Sequence, residues 1–506
     1  MIDSKRIAKN TLFMYIRMFI ILGVSLYTSR VVLDKLGVDD YGLYNVVAGL
    51  VGMLSFLNGT LSTGTSRFLM YDLGVGDTNK LKSTFNTVLI THVALACFII
   101  LIGETLGVWY INNILIVDHN RLLAIRVVFQ LSILTAVISV IQVPFTSVIM
   151  AHEKMSFYAY LSIFEAIAKL LIVYILSIVT ADKLIVYAFL IVLVSVLIFI
   201  VYAIYCYSKF DEVRFTFFFD KETSKSLLSF SGWNLLANLS NTLGLQGVLV
   251  LQNLFFQPFV AASQAISNQI SSAIMQFINN VRVAINPQII KLYADNKFEE
   301  SKRLTLWSAQ IMFDLLLLIG LPCIIIMDKL IDLWLVEIPD YAIIFAQYAV
   351  LRNILDNFNY ALYLPMIAAN KIKKNSLAAL FLGVGQFILL YIVFKLGASA
   401  LWSSYLALGT TVLFSFIVKP YILYKDVNYR IKELFECYWG AIKVLILSSV
   451  LSFTAYALIG NDTFLKNIVI VIITIVSVIF SSYITLGREK KKYLMSFAND
   501  KIKLLK

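Results

Sequence analysis

Eight basic residues lie inside long apolar stretches of this 506-residue chain: Arg17, Arg30, Arg67, Arg126, Lys169, Arg282, Arg352 and Lys443. Four acidic residues share that setting: Glu104, Glu165, Asp314 and Asp356. An ionisable side chain at membrane depth is costly, and it usually faces a cavity or a partner. Guanidinium groups bind phosphate oxygens in pairs, whereas lysine offers a point charge. The excess of cations therefore predicts a site for an anionic group within the bilayer.

Helical phase narrows the choice among these arginines. Arg17 and Arg30 are thirteen residues apart and point about 140° away from each other at about 100° per residue, so they cannot both face one cavity. We select Arg30. Arg67 is a cavity candidate too, although it and Arg126 stand near the ends of apolar runs, where their side chains can also reach the membrane surface.

Amide side chains recur on one face of two predicted helices. One stripe contains Asn234, Asn238 and Asn241, and the other contains Gln264, Asn268, Asn279 and Arg282. Amides both donate and accept hydrogen bonds and so suit sugar hydroxyls. The alternative is that they hold helices together within the bundle. Because Arg282 ends the second stripe, we expect that stripe to line a cavity, and Asn58 is a further cavity candidate.

Two oppositely charged pairs have the four-residue spacing that brings side chains together on a helix: Glu165 with Lys169, and Arg352 with Asp356. Each is predicted to be an internal ion pair. It either neutralises itself structurally or acts as a gate whose pairing changes during a transport cycle. Asp314, alone at mid-depth, is the candidate for a proton or sodium site, against the alternative that it pairs with an arginine.

Composition assigns the chain to the polytopic α-helical membrane proteins. Hydrophobic residues make up 60% of it, charged residues only 14%, and the mean hydropathy is +0.84. The four cysteines are isolated and indicate neither disulfides nor a metal site. The net charge of +12 resides mostly in loops, so no nucleic-acid partner is needed to explain it.

Apolar runs separated by polar breaks predict fourteen membrane spans. They are 11–33, 41–70, 84–111, 122–150, 155–180, 184–206, 228–254, 259–289, 304–327, 341–368, 376–396, 399–424, 438–459 and 465–486. Twenty-eight lysines and arginines fall on the side of the N-terminus and six on the other. Since basic loops stay in the cytoplasm, both termini are predicted to be cytoplasmic.

The spans divide into two predicted lobes. Residues 1–206 form the first with helices 1–6, residues 207–226 a cytoplasmic amphipathic join, 227–428 the second lobe with helices 7–12, and 429–506 the last two helices and a basic tail. A Phe-Leu-Asn segment at Phe56 and a Phe-Ile-Asn segment at Phe277 are offset by 221 residues, as are Pro144 and Pro365. These matches favour parallel repeats, with chance similarity as the alternative.

The segment SRVVLDKLGVDDYGLY from Ser29, the FLN at Phe56 and the RFL at Arg67 resemble the polysaccharide-transport branch of the multidrug/oligosaccharidyl-lipid/polysaccharide exporter superfamily. The resemblance implies two six-helix lobes forming a V around a central cavity, two added C-terminal helices and alternating access. It also selects Arg30 rather than Arg17 as the cavity residue, because Arg30 matches the first-helix arginine of the family. It further implies a flippase that carries undecaprenyl-pyrophosphate-linked repeat units across the bacterial inner membrane for O-antigen or capsular polysaccharide. Membrane lipids and the polysaccharide polymerase machinery are the other expected partners.

Two other functions remain open from the sequence. An ion-coupled multidrug exporter of the same superfamily would more typically have twelve spans and acidic membrane residues. A membrane-embedded glycan polymerase would need a large outer loop with catalytic residues, and the predicted outer loops are short. No nucleotide-binding loop or metalloprotease motif is present, so we expect neither an enzyme nor a cofactor, apart from a coupling proton or sodium ion.

Overall fold

A computed structural model describes the backbone of residues 4–485 except positions 54, 153, 215, 217, 370, 461 and 462. Side chains are described from residue 18 onward, except at these positions and at 55–60, 63, 67, 74, 75, 119, 155, 226, 228–237, 280, 283, 284, 287 and 294. Within that part of the chain every regular element is a helix, which confirms the predicted all-α class. Backbone polar groups in lipid must be satisfied within each segment, and helices achieve this.

The first ten α-helices are α1 Ser4–Leu36, α2 Val38–Gly52, α3 Ser55–Val75, α4 Thr78–Ile102, α5 Val108–Asn113, α6 Leu122–Ala151, α7 Met155–Ile178, α8 Lys183–Lys209, α9 Lys221–Thr242 and α10 Val248–Phe255. The other ten are α11 Pro258–Ala294, α12 Phe298–Ile325, α13 Met327–Trp334, α14 Ala342–Ala361, α15 Leu364–Ala368, α16 Lys373–Lys395, α17 Trp402–Leu413, α18 Lys419–Val427, α19 Ile431–Ile459 and α20 Phe464–Thr485. Three π-helical segments continue α4, α9 and α17 at Gly103–Gly107, Leu243–Gly247 and Phe414–Val418.

Nine helices of the described chain are long and apolar enough to cross a membrane. They are Thr78–Asn113, Leu122–Ala151, Ser156–Ile178, Lys183–Lys209, Phe298–Ile325, Lys373–Lys395, Trp402–Val427, Ile431–Ile459 and Phe464–Thr485. The other five predicted spans also fall on helices, which are shorter, more polar or only partly described. The polytopic helical architecture is therefore the one expected from the sequence.

The predicted span 41–70 contains α2 and α3. At the end of α2, Met53 keeps helical backbone angles, and its N–H donates to the carbonyl of Gly49 at 2.8 Å. Another predicted span, 341–368, is divided after Ala361, since the proline at position 365 lies at the start of a new helix. Proline lacks the amide hydrogen that a helix interior requires.

Contacts divide the chain into two compact units. Unit 1 contains Met1–Gln269, Trp334–Ala342 and Ser376–Leu406, and unit 2 contains Ile270–Leu333, Ile343–Asn375 and Ala407–Lys506. The two lobes predicted from the sequence, with boundaries at 206, 226 and 428, stay a prediction.

In unit 1, α2 packs at the centre, with Leu43, Val46 and Val47 buried. Close approach to the next helices depends on Gly42, because a Cβ there would collide with the backbone carbonyl of Pro258. At the turn between α1 and α2 the guanidinium of Arg121 binds Asp40 and donates from Nη1 to Oδ2 of Asp182 at 2.6 Å. This bridge ties the first helix pair to the N-terminal ends of α6 and α8.

In unit 2, α12 and α14 pack closely at a glycine. A Cβ on Gly320 would lie 2.9 Å from Cγ1 of Val350. One turn of α14 is then fixed by the Asn357 amide, which donates to the carbonyl of Ala309 at 2.8 Å. This packing positions the polar face of α14 that carries Arg352 and Asp356.

Candidate functional site

Arg282 is the most enclosed of the described arginines proposed from the sequence, with 7% of its surface exposed. Its Nη1 donates to Oδ1 of Asn279 at 3.0 Å, and its Nη2 donates to Oδ1 of Asn357 at 3.3 Å. The guanidinium carbon lies 4.6 Å from the centre of the Tyr360 ring. Neutral amides and a ring face therefore hold this cation, and its Nε is buried without a hydrogen-bond partner.

The charge of Arg282 is not cancelled by a direct contact. Among the described residues no carboxylate lies within ion-pair distance of it. Asp356 interacts electrostatically with Arg282, Arg352 and Lys419. We call these four residues the cationic cluster. With three cations and one carboxylate in a poorly screened interior, the cluster favours an anion.

The predicted Arg352–Asp356 ion pair is absent from the described contacts, so that expectation was wrong. Oδ1 of Asp356 instead accepts a hydrogen bond from Nδ2 of Asn359 at 3.2 Å. A residue three positions ahead on a helix is as close as one four positions behind, so the amide competes with the guanidinium. Arg352 acts on Asp356 only through space.

Lys419 was not among the candidates predicted from the sequence, because it was counted with the basic residues on the side of the N-terminus although it lies within the predicted span 399–424. It is completely buried, its Nζ donates to Oδ1 of Asn375, and the Tyr363 and Phe414 rings lie 5.1 and 5.0 Å away. The preceding π-helical segment, Phe414–Val418, adds a residue to the helical turn. Such segments often mark functional sites, but composition alone does not reveal them.

Unit 1 contains a separate polar cavity of about 720 Å³. Helices α1, α2, α3, α6, α7 and α8 contribute to its wall, and Glu165 and Lys169 of α7 both face it. Their predicted ion pair is confirmed, with Nζ of Lys169 donating to Oε1 of Glu165 at 2.7 Å. About two fifths of each side chain remains exposed, so the pair can be reached from the cavity.

The predicted polar stripe from Gln264 to Arg282 lies on α11, and its first half forms hydrogen bonds between helices. Nε2 of Gln252 on α10 donates both to Oε1 of Gln264 and to Oγ of Ser403, each at 3.1 Å. Gln264 in turn donates to Oδ1 of Asn268 at 3.1 Å. These contacts match the alternative in which the amides hold helices together. The cavity-lining role of Gln264 and Asn268 stays a prediction.

The structure does not gather the remaining candidates into one described cluster. The side chains of three predicted cavity residues lie outside its described part: Asn58, Arg67 and Asn234. Four others are partly buried or exposed: Arg30 on α1, Asn238 and Asn241 on α9, and Asp314 on α12. Their predicted roles stay predictions.

Neither a protein-family profile nor the sequence of a curated protein matches the chain. Several solved structures match the chain in fold. The lipid II flippase MurJ in an inward closed conformation has a TM-score of 0.66 at 13% identity over 94% of this chain and 98% of its own. The MATE multidrug transporter DinF-BH in complex with R6G has a TM-score of 0.63 at 12% identity over 84% of this chain and 96% of its own.

A third similar structure is a MOP superfamily transporter from Pyrococcus furiosus, described as having a binding pocket of reverse polarity. Its TM-score is 0.61 at 13% identity, over 83% of this chain and 96% of its own. The chain shares the fold of these three proteins. At identities this low the likeness establishes the fold alone. It confirms the helical architecture that the sequence resemblance implied.

Proposed function

We propose that this protein is a flippase that moves undecaprenyl-pyrophosphate-linked oligosaccharide repeat units from the cytoplasmic to the periplasmic leaflet of the bacterial inner membrane. It would do so by alternating access, with both termini cytoplasmic, and would serve O-antigen or capsular polysaccharide synthesis. The observation that carries the proposal is Arg282, a buried guanidinium held by amides, which is one of three basic side chains that act on the single carboxylate Asp356.

A pyrophosphate has to leave water when its lipid crosses the bilayer. Hydrogen bonds in which both partners are charged are roughly twice as strong as neutral ones, and a low dielectric strengthens the attraction. The cationic cluster supplies that compensation, while the polyprenyl tail can remain in lipid. A cationic drug would gain nothing from the same cluster, because like charges repel there.

Similarity to known structures also supports a flippase rather than a small-molecule exporter. The MurJ structure is that of a flippase for lipid II, and it aligns with 94% of this chain, against 84% for DinF-BH. An ion-coupled small-molecule exporter is the second candidate, supported by the likeness to MATE transporters. In both cases Asp314 and the Glu165–Lys169 pair are the proposed coupling or gating groups, and transport requires no catalysis by the chain.

Deletion of the gene provides the test. We expect a lipid-linked oligosaccharide to accumulate on the cytoplasmic leaflet, and the wild-type gene to clear it. Mass spectrometry of the extracted lipid identifies the sugar. An unchanged lipid-linked pool together with new sensitivity to small-molecule drugs would favour the exporter instead.

A further inference from the structure

Hydroxyl groups line much of the unit 1 cavity. Four of them donate to carbonyls of their own helices: Ser29 to Leu26 at 3.0 Å, Ser139 to Thr135 at 2.9 Å, Thr146 to Val143 at 2.9 Å and Ser162 to Tyr158 at 2.8 Å. A hydroxyl has one hydrogen to donate and two lone pairs that accept. These four positions therefore present acceptors to whatever occupies the cavity.

Two amides on the same wall are oriented in the same way. Nδ2 of Asn45 donates to the carbonyl of Tyr41 at 2.7 Å, and Nε2 of Gln269 donates to the carbonyl of Ser25 at 3.0 Å. Each spends a hydrogen on backbone. These six side chains thus present acceptors, while the tyrosine hydroxyls, the Gln142 amide and the Thr28 hydroxyl on the same wall carry hydrogens. The wall therefore suits a ligand that both donates and accepts hydrogen bonds.

The cavity also carries aromatic surface and a balanced charge. The Tyr44 and Tyr187 rings meet edge to face with centroids 4.8 Å apart. Glu165 and Lys169 are the charged side chains among the described lining residues, and they neutralise each other. Aromatic walls combined with a few placed polar groups are typical of small-molecule sites.

We infer that this cavity binds the neutral sugar portion of the lipid-linked cargo. The inference rests on the proposed function and adds the place where the glycan is held. Sugar hydroxyls both donate and accept hydrogen bonds, as the side chains of this wall do, and the apolar faces of sugar rings fit against tyrosine rings. The volume of about 720 Å³ lies within the range of roughly 300–1,000 Å³ found for small-ligand sites.

Other occupants fit less well. A phosphate group carries negative charge, and it would meet no uncompensated cation among the described side chains of this wall, since Lys169 is paired with Glu165. An organic cation would need a free carboxylate, and Glu165 is held by Lys169 at 2.7 Å. Carbohydrate is the neutral, polyhydroxylic class that matches the wall.

The test compares two lipids in proteoliposomes containing the full-length protein. One is the lipid-linked oligosaccharide extracted from the deletion strain, and the other is undecaprenyl pyrophosphate without sugar. The variant T146V/S162A removes two cavity acceptors while changing side-chain volume little. The control is Ser195→Ala, which removes a hydroxyl with the same kind of bond, to Ile191 at 2.9 Å, on a residue that does not line the cavity.

We expect the double variant to slow transport of the glycosylated lipid about tenfold, because each lost hydrogen bond accounts for a few-fold change, and to leave the bare lipid unchanged. The control should transport both like the wild type. An equal loss on both lipids, or no loss on either, would overturn the glycan site while leaving the proposed function in place.

Two further results count against the glycan site. A wild-type protein that moves neither lipid would remove the proposed function and the site with it. If the double variant instead loses binding of tetraphenylphosphonium, the cavity is a cation site. Thermal stability of each purified protein shows whether it is folded, and Ser139→Ala replaces the double variant if that variant does not fold.

Discussion

Replacement of Arg282 by alanine tests the anion-binding role of the cationic cluster. A hydrogen bond that involves a charged group contributes about 1.5–3 kcal/mol, and each ~1.4 kcal/mol corresponds to a factor of ten. If the guanidinium binds the pyrophosphate during translocation, transport of the lipid should fall about 10- to 150-fold. Arg282→Lys keeps the charge but loses the planar fork, so we expect an intermediate loss.

Stability should change much less than transport. Removing the guanidinium leaves Oδ1 of the fully buried Asn357 without a partner, which costs about 1–3 kcal/mol. The same substitution removes a cation that had been taken out of water at a cost of several kcal/mol. These two terms oppose each other, so the midpoint of thermal unfolding should shift by only a few degrees.

The assay is flipping of the extracted lipid-linked oligosaccharide by purified protein in proteoliposomes, with thermal unfolding measured on the same samples. Arg126→Ala is the matched control, because Arg126 is exposed and its Nε donates to Oδ1 of Asn112 at 2.9 Å, again an arginine bound to an amide. Folded Arg282→Ala protein that transports like the wild type would refute the role of this arginine. An equal loss in the control would show that any lost arginine has the same effect.

Two further perturbations concern unit 1. Gly42→Ala should lower the yield of folded protein far more than Gly23→Ala, because the new Cβ at position 42 meets the rigid carbonyl of Pro258 whereas the one at position 23 has free space. The yield is measured by size-exclusion chromatography in detergent. Equal yields of the two variants would contradict the close packing at Gly42. We expect a coupling free energy of only about 0.2–1 kcal/mol from thermal unfolding of Glu165→Gln, Lys169→Gln and the double variant, since both side chains are substantially exposed. A much larger coupling free energy would mean that the pair is structural.

Sequence reasoning succeeded where an interaction is local to one helix. The Glu165–Lys169 pair formed as its spacing predicts, because both side chains project from one face of α7. The Arg352–Asp356 pair had the same spacing and did not form. There the amide of Asn359, three residues ahead, donates a hydrogen bond to one carboxylate oxygen of Asp356. The other cations around Asp356 are Arg282 and Lys419, which come from distant parts of the chain. Such neighbours depend on tertiary packing, which spacing does not encode.

Lys419 shows a limit of counting charges. Its charge placed it with the basic residues on the side of the N-terminus, although it lies within the predicted span 399–424. In the structure the helix continues through Lys419 and buries it completely. The burial of one side chain depends on tertiary packing, which composition does not encode.

The chemistry of the two units differs in a way that separates the proposals. Unit 2 holds three basic side chains around Asp356, and the described lining of the unit 1 cavity carries hydroxyls, amides and the Glu165–Lys169 pair. A lipid-linked glycan combines an anionic pyrophosphate with uncharged sugars, so it offers one part to each kind of site. Loss of Arg282 should therefore slow the glycosylated and the bare lipid alike, because both carry the pyrophosphate, whereas loss of the cavity hydroxyls should slow only the glycosylated one. If the two sets of variants discriminate between the lipids in the same way, the assignment of separate sites to phosphate and sugar fails.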